Sequence, residues 1–124
     1  MSKHRIEVAV HGNGSTRSRL ATIGHVQERV IRDAIARQLS RLGCTLIAFG
    51  AASDHVHVLF WMSPTAHLSE IFRAMKSASA VEVNRCVDYE FRWEQGYAVF
   101  SVDPLSIGVV ATYVTNQRTR HAEP

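Results

Sequence analysis

The segment Asp54-His55-Val56-His57-Val58-Leu59-Phe60 has the most informative spacing in the chain. On a β-strand, residues two apart share a face, so His55 and His57 project together while Val56, Val58 and Phe60 point to the other side. Two neutral imidazoles side by side are a ready pair of ligands for a divalent metal ion. The same pattern also describes a polar sheet face that carries two histidines and nothing more. Further along, Tyr113 and Gln117 are four residues apart and would stack on one face of a helix. A phenol can act as a nucleophile, and a carboxamide offers a neutral oxygen to a metal. Equally, Tyr113 reads as an edge aromatic and Gln117 as a surface residue. The run Arg92-Trp93-Glu94-Gln95-Gly96-Tyr97 sets basic and aromatic groups beside a glycine turn. Such a set can stack unpaired bases and touch phosphates, or it can form a hairpin edge with a packed Trp. Lys76, Arg118, Arg120 and His121 add positive charge near helix ends, and Arg73 joins Lys76 on the outer side of its helix.

The elements that must position these groups follow from hydrophobic periodicity. Residues 5–11 alternate, with Ile6, Val8 and Val10 on one face, and read as a strand. Gly12-Asn13-Gly14-Ser15 has the composition of a loop. Val26, Val30, Ala34 and Leu39 keep helical spacing up to Gly43, which is well placed as the stop. Residues 45–51 and 55–61 read as two strands of a hairpin, joined through Ala52-Ser53-Asp54. After Pro64, the residues Leu68, Ile71, Phe72, Met75 and Ala78 form the inner face of a second helix. Residues 97–102 give a fourth strand, and Asp103-Pro104 supplies the N-cap and first-turn proline of a third helix running to about Arg118. The order β-α-β-β-α-β-α is that of an α+β, ferredoxin-like fold: an antiparallel sheet with helices on one face, plus a C-terminal helix carrying the tyrosine.

Composition sets the outer bounds. With 124 residues, 46% hydrophobic and 20% charged, the chain is expected to form one globular domain over residues 1–124. The longest apolar or small-residue run, residues 44–52, is too short to span a bilayer. The first residues lead into an alternating strand without the apolar stretch of a signal peptide, so a cytoplasmic protein without membrane attachment is expected. Cys44 and Cys86 lack C-x-x-C spacing and read as small core residues. A net charge of +3 is compatible with a polyanionic partner without requiring one.

Taken in order, the segments resemble the single-tyrosine HUH transposases of bacterial insertion sequences and the related REP-associated tyrosine transposases. The resemblance covers residues 44–121. It rests on Asp54-His55-Val56-His57-Val58-Leu59, on Leu68 through Lys76-Ser77-Ala78-Ser79, on Trp93-x-Gln95-Gly96-Tyr97-x-Val99-Phe100-Ser101-Val102, and on Tyr113-Val114-Thr115-Asn116-Gln117. It implies a domain acting on single-stranded DNA, with hairpin ends, and associated with the nucleoid when bound to it. His55 and His57 match the HUH pair that binds Mg²⁺ or Mn²⁺, Gln117 the third protein ligand, and Tyr113 the nucleophile that forms a 5′-phosphotyrosine. It also implies a homodimer with composite active sites, in which one chain's tyrosine helix serves its partner. Arg73, Lys76, Arg92, Trp93 and Arg118 are then the candidate DNA contacts. The chain departs from the family's aromatic first strand and basic turn at residues 8–14, where Arg17 and Arg19 can stand in.

Two other classes remain in view. One is a domesticated ferredoxin-like nucleic-acid-binding module without cleavage activity, although such a relative should have lost the nucleophile or a ligand. An RNA-recognition domain should carry stacking aromatics on its third strand, where this chain has His55, His57, Leu59 and Trp61. A metal-sensing protein should gather more than two His or Cys ligands, and His11 or His67 could be recruited only without support from their spacing.

Overall fold

The structure, a computed structural model, describes residues 8–122, with side chains described through Thr119. Four strands form one antiparallel sheet in the order β2-β3-β1-β4: β1 is Ala9–Ser15, β2 Thr45–Ala51, β3 His55–Trp61 and β4 Ala98–Val102. Helices α1 (His25–Arg41) and α2 (Leu68–Asn84) follow β1 and β3. The fold is therefore α+β and ferredoxin-like, with two helices on one sheet face. Two further helices, α3 (Ile107–Thr115) and α4 (Gln117–Ala122), close the chain. Among the described residues no helix is long and apolar enough to cross a membrane.

The alternation of β3 sorts the two faces. Val56, Val58 and Phe60 join Val10 against Ile31, Ile35 and Leu39 of α1 and Ile71, Phe72, Met75 and Val83 of α2. This is the main core. On the opposite face Ala9 and Leu59 pack with Val114 of α3, bordered by Trp61, Val102, Ile107 and Val110. That second, smaller cluster is what holds α3 across the sheet.

Several local expectations change. Gly12-Asn13-Gly14-Ser15 is not a loop but the second half of β1, paired throughout with β3 and at Gly12 and Asn13 also with β4. Its glycine answers to packing, since a Cβ on Gly12 would lie 2.3 Å from Phe72 Cζ. The expected strand start at residues 5–7 lies outside the described residues, and Val8 precedes the strand. In α1 the buried stripe is Ile31, Ala34, Ile35 and Leu39, whereas Val26 is 52% exposed. The stripe is thus one residue off the expected one at its N-terminal end. Gly43 ends α1 as expected, with φ +79°, its N–H donating to Ser40 O. In α2 the buried small residue is Ser79, whose hydroxyl donates to Met75 O, and Ala78 is only half-buried. Cys44 is buried, but Cys86 is exposed and so is not a core residue. Asp103 caps a short 3₁₀ turn through Leu105 N at 2.8 Å rather than α3 itself. The third helix does not run unbroken to Arg118: Asn116, at φ −96° and ψ 27°, separates α3 from α4.

Candidate active site

The groups singled out on β3 and the C-terminal helices meet on the sheet face opposite the main core. His55 and His57 project side by side, their ring centroids 5.3 Å apart at 80°. Tyr113 stands edge-on to His57 with centroids 5.6 Å apart. Gln117, the first residue of α4, is fully buried at 0% exposure. The break at Asn116 turns α4 so that Gln117 reaches inward: its Nε2 donates to Tyr113 O at 2.8 Å and its Oε1 lies 3.3 Å from His55 Nε2.

Gly50 explains why α3 can come this close. It pairs with His57 across β2 and β3. A Cβ there would sit 1.6 Å from Val114 O and 3.2 Å from Thr115 Cα. The helix backbone therefore occupies the space that any side chain at residue 50 would need, and Tyr113 is delivered beside His57. Tyr113 itself is 36% exposed, so its ring borders both the site and solvent.

Each histidine is held through Nδ1. Asp54 Oδ1 lies 2.7 Å from His55 Nδ1, and Arg19 Nε donates to Asp54 Oδ2 at 3.0 Å. Burial alone would raise the Asp54 pKa, but hydrogen bonds from His55 and Arg19, with the Arg19 charge, bring it below the usual carboxylate value. Arg19 reaches Asp54 from a turn in which Ser18 and Arg19 both adopt positive φ, 57° and 55°. Two successive non-glycine residues in that region are strained, and the Arg19 contacts to Asp54 and Ser15 help hold them there. His57 Nδ1 lies 2.8 Å from His11 Nε2. Burial lowers the pKa of His11 and favours its neutral form.

Among the described residues no group of three or more His, Cys, Asp or Glu is gathered to hold a metal ion. The donor set nevertheless fits a divalent cation once the carboxamide is counted. The bond from Gln117 Nε2 to Tyr113 O fixes the amide with Oε1 toward His55. When neutral His55 gives its Nδ1–H to Asp54, its Nε2 lone pair meets that oxygen at 3.3 Å. His55 Nε2 and Gln117 Oε1 are thus close enough to bind one cation together.

The remaining candidates lie apart from this cluster or are engaged elsewhere. Trp93 packs against the main core, its Nε1–H donating to Ser79 Oγ at 3.0 Å. Lys76 Nζ donates to Glu94 O and Gly96 O, pinning the turn before β4. Arg118 is tied to Glu28 at 2.7 Å and to Ile23 O at 2.8 Å. Arg73 and Arg92 are exposed, and the exposed His67 precedes α2. The residues whose role here had no local sequence signal are His11, Arg19 and Gly50; for His11 and Gly50 the register of β3 with its neighbours is what brings them to the site.

The domain is thus a ferredoxin-like sheet with a histidine pair on the face that a helix bearing a tyrosine crosses. Residues 7–117 match the family described as IS200-like transposases, and the chain belongs to that family. Its fold is similar to that of a transposase candidate from Deinococcus radiodurans R1, with a TM-score of 0.76, 19% identity, and coverage of 95% of this chain and 96% of that one. It is also similar to a REP-associated tyrosine transposase bound to a REP hairpin, with a TM-score of 0.72, 16% identity, and coverage of 98% of this chain and 74% of that one. At these identities the likeness is one of fold. A comparison with curated proteins gives no match.

Proposed function

We propose that this transposase-family domain cleaves and rejoins single-stranded DNA through a 5′-phosphotyrosine on Tyr113. The observation that carries the reading is the convergence of Tyr113, His55, His57 and Gln117 on one patch of the sheet, with Tyr113 and His57 centroids 5.6 Å apart. The phenol oxygen attacks the scissile phosphorus, the bond from phosphorus to the 3′-oxygen breaks, and that oxygen takes up a proton. A 3′-hydroxyl from another end then attacks the phosphotyrosine, releasing the phenol and restoring a phosphodiester. The bond energy is kept in the intermediate, so no outside energy source is needed.

His55, His57 and Gln117 would hold Mg²⁺ or Mn²⁺. Such a cation supplies positive charge against the non-bridging phosphate oxygens as charge builds in the transition state. All three donors are neutral, so the site stays net positive toward phosphate. Asp54, the nearby carboxylate, is itself offset by Arg19. The similarity to a protein bound to a REP hairpin supports single-stranded DNA with hairpin ends as the partner. α3 packs on the sheet through Val114, Ala9 and Leu59, and a homodimer with composite active sites would keep that packing by exchanging α3 between two copies.

The test is a covalent-adduct assay with labelled single-stranded DNA from the ends of the chain's own genomic locus. A metal-dependent, denaturant-resistant adduct is expected, and Tyr113→Phe should abolish it while DNA binding stays nearly intact. Binding without an adduct at any candidate end would instead indicate a domesticated binding module.

A further inference from the structure

Among the described residues, two second-layer contacts support the histidine pair, and they differ in kind. His55 Nδ1 rests on a carboxylate, Asp54 Oδ1, at 2.7 Å. His57 Nδ1 rests on a second imidazole, His11 Nε2, at 2.8 Å. The antiparallel register explains the second contact. His11 on β1 lies opposite Leu59, so His57 is its diagonal neighbour on the same face of the sheet. Among the described residues, the other rings around His11 are Phe100 and Tyr113, with centroids 6.0 and 6.1 Å away.

We propose that His11 is a positioning residue: its Nε2 accepts the Nδ1–H of His57 and holds His57 in the tautomer whose Nε2 carries the lone pair. This rests on the reading of His57 as a metal ligand, because an imidazole can give Nε2 to a cation only if the proton sits on Nδ1. The opposite arrangement, with His11 donating, would put the His57 proton on Nε2 and close that nitrogen to a metal. An imidazole serves here where a carboxylate would not. Asp54 has Arg19 to offset its charge, whereas an acidic group at residue 11 would sit between aromatic rings and set a second negative charge toward the incoming phosphate.

The experiment compares the full chain with His11→Phe, which keeps a ring but removes the acceptor, and with His11→Gln, which restores an acceptor oxygen near the position of Nε2. The first readout is the pair of imidazole nitrogen chemical shifts of His57 in metal-free protein above neutral pH. The unaltered chain should show the proton on Nδ1, His11→Phe should move it toward Nε2, and His11→Gln should keep it on Nδ1. The second readout is Mn²⁺ titration, where loss of the partner should weaken binding about 10–100-fold and Gln should recover most of it. A His57 proton on Nε2 in the unaltered chain would overturn the proposal, as would His11→Phe leaving both tautomer and Mn²⁺ affinity unchanged. Should His11→Phe fail to fold, the tautomer of the unaltered chain and the behaviour of His11→Gln decide it. The DNA chemistry is judged separately. An adduct with a His57 tautomer indifferent to His11 would remove only this inference, and the expected tautomers without an adduct would remove only the phosphotyrosine reading.

Discussion

Asp54 fixes His55, Arg19 fixes Asp54, and Gln117 bridges back to the Tyr113 carbonyl, so the site is held by bonds to atoms that do no chemistry themselves. Exchanging one donor should therefore remove its function without dispersing the rest. His57→Ala is expected to abolish metal-dependent cleavage while the chain still folds, which a cleavage assay with and without Mg²⁺ and a denaturation curve would check. Cleavage with unchanged Mg²⁺ dependence would remove His57 from the metal-binding set. At this scale the sequence was legible where a local period carried the information. His55 and His57 share a face because they are two apart on a strand, whereas Tyr113 and Gln117, expected on one helix, stand on either side of the break at Asn116. His11 was not legible, because its partner is chosen by how β1 registers on β3, and no short window contains that pairing. Trp93 carried the aromatic signal of a base-stacking residue, yet its indole N–H is spent on Ser79 inside the domain.

At the scale of elements, the docking of α3 is the step that completes the site. β2, β3 and the end of α1 were readable from alternation and from the glycine stop at residue 43. The Gly12-Asn13-Gly14-Ser15 run was not, because its turn-like composition serves a crowded strand whose glycine admits the Phe72 ring. The break at Asn116 likewise had no proline or glycine to announce it, although it turns Gln117 toward His55. Gly50→Ala tests the docking. The added methyl would meet the Val114 carbonyl, a backbone atom that cannot swing aside. Destabilisation of about 1–3 kcal/mol is expected, with faster hydrogen exchange in α3 and loss of adduct formation. Gly108→Ala in the same helix is the control: nothing lies within 4 Å of its Cβ, so it should leave stability and adduct formation unchanged or slightly improved. Equal effects from the two substitutions would contradict the account of α3 docking.

For the whole molecule, Tyr113, His55, His57 and Gln117 of one chain lie together on the sheet. The composite sites implied by the family resemblance would exchange α3 between two copies while keeping the packing of Val114 against Ala9 and Leu59. Mixing Tyr113→Phe with His57→Ala distinguishes the two arrangements. Sites completed within one chain predict that the mixture stays inactive, whereas recovered adduct formation would place the tyrosine helix on a partner. Because the chain is basic, with a net charge of +3, its binding to single-stranded DNA should weaken linearly in log–log terms as salt rises. Whether Tyr113 carries the DNA is read by digesting the covalent adduct with trypsin and nuclease and sequencing the modified peptide by mass spectrometry. A nucleotide joined through its 5′-phosphate to Tyr113, in the peptide that ends at Arg118, is expected. A nucleotide on another residue, or a phosphate linked through the 3′-oxygen, would contradict it.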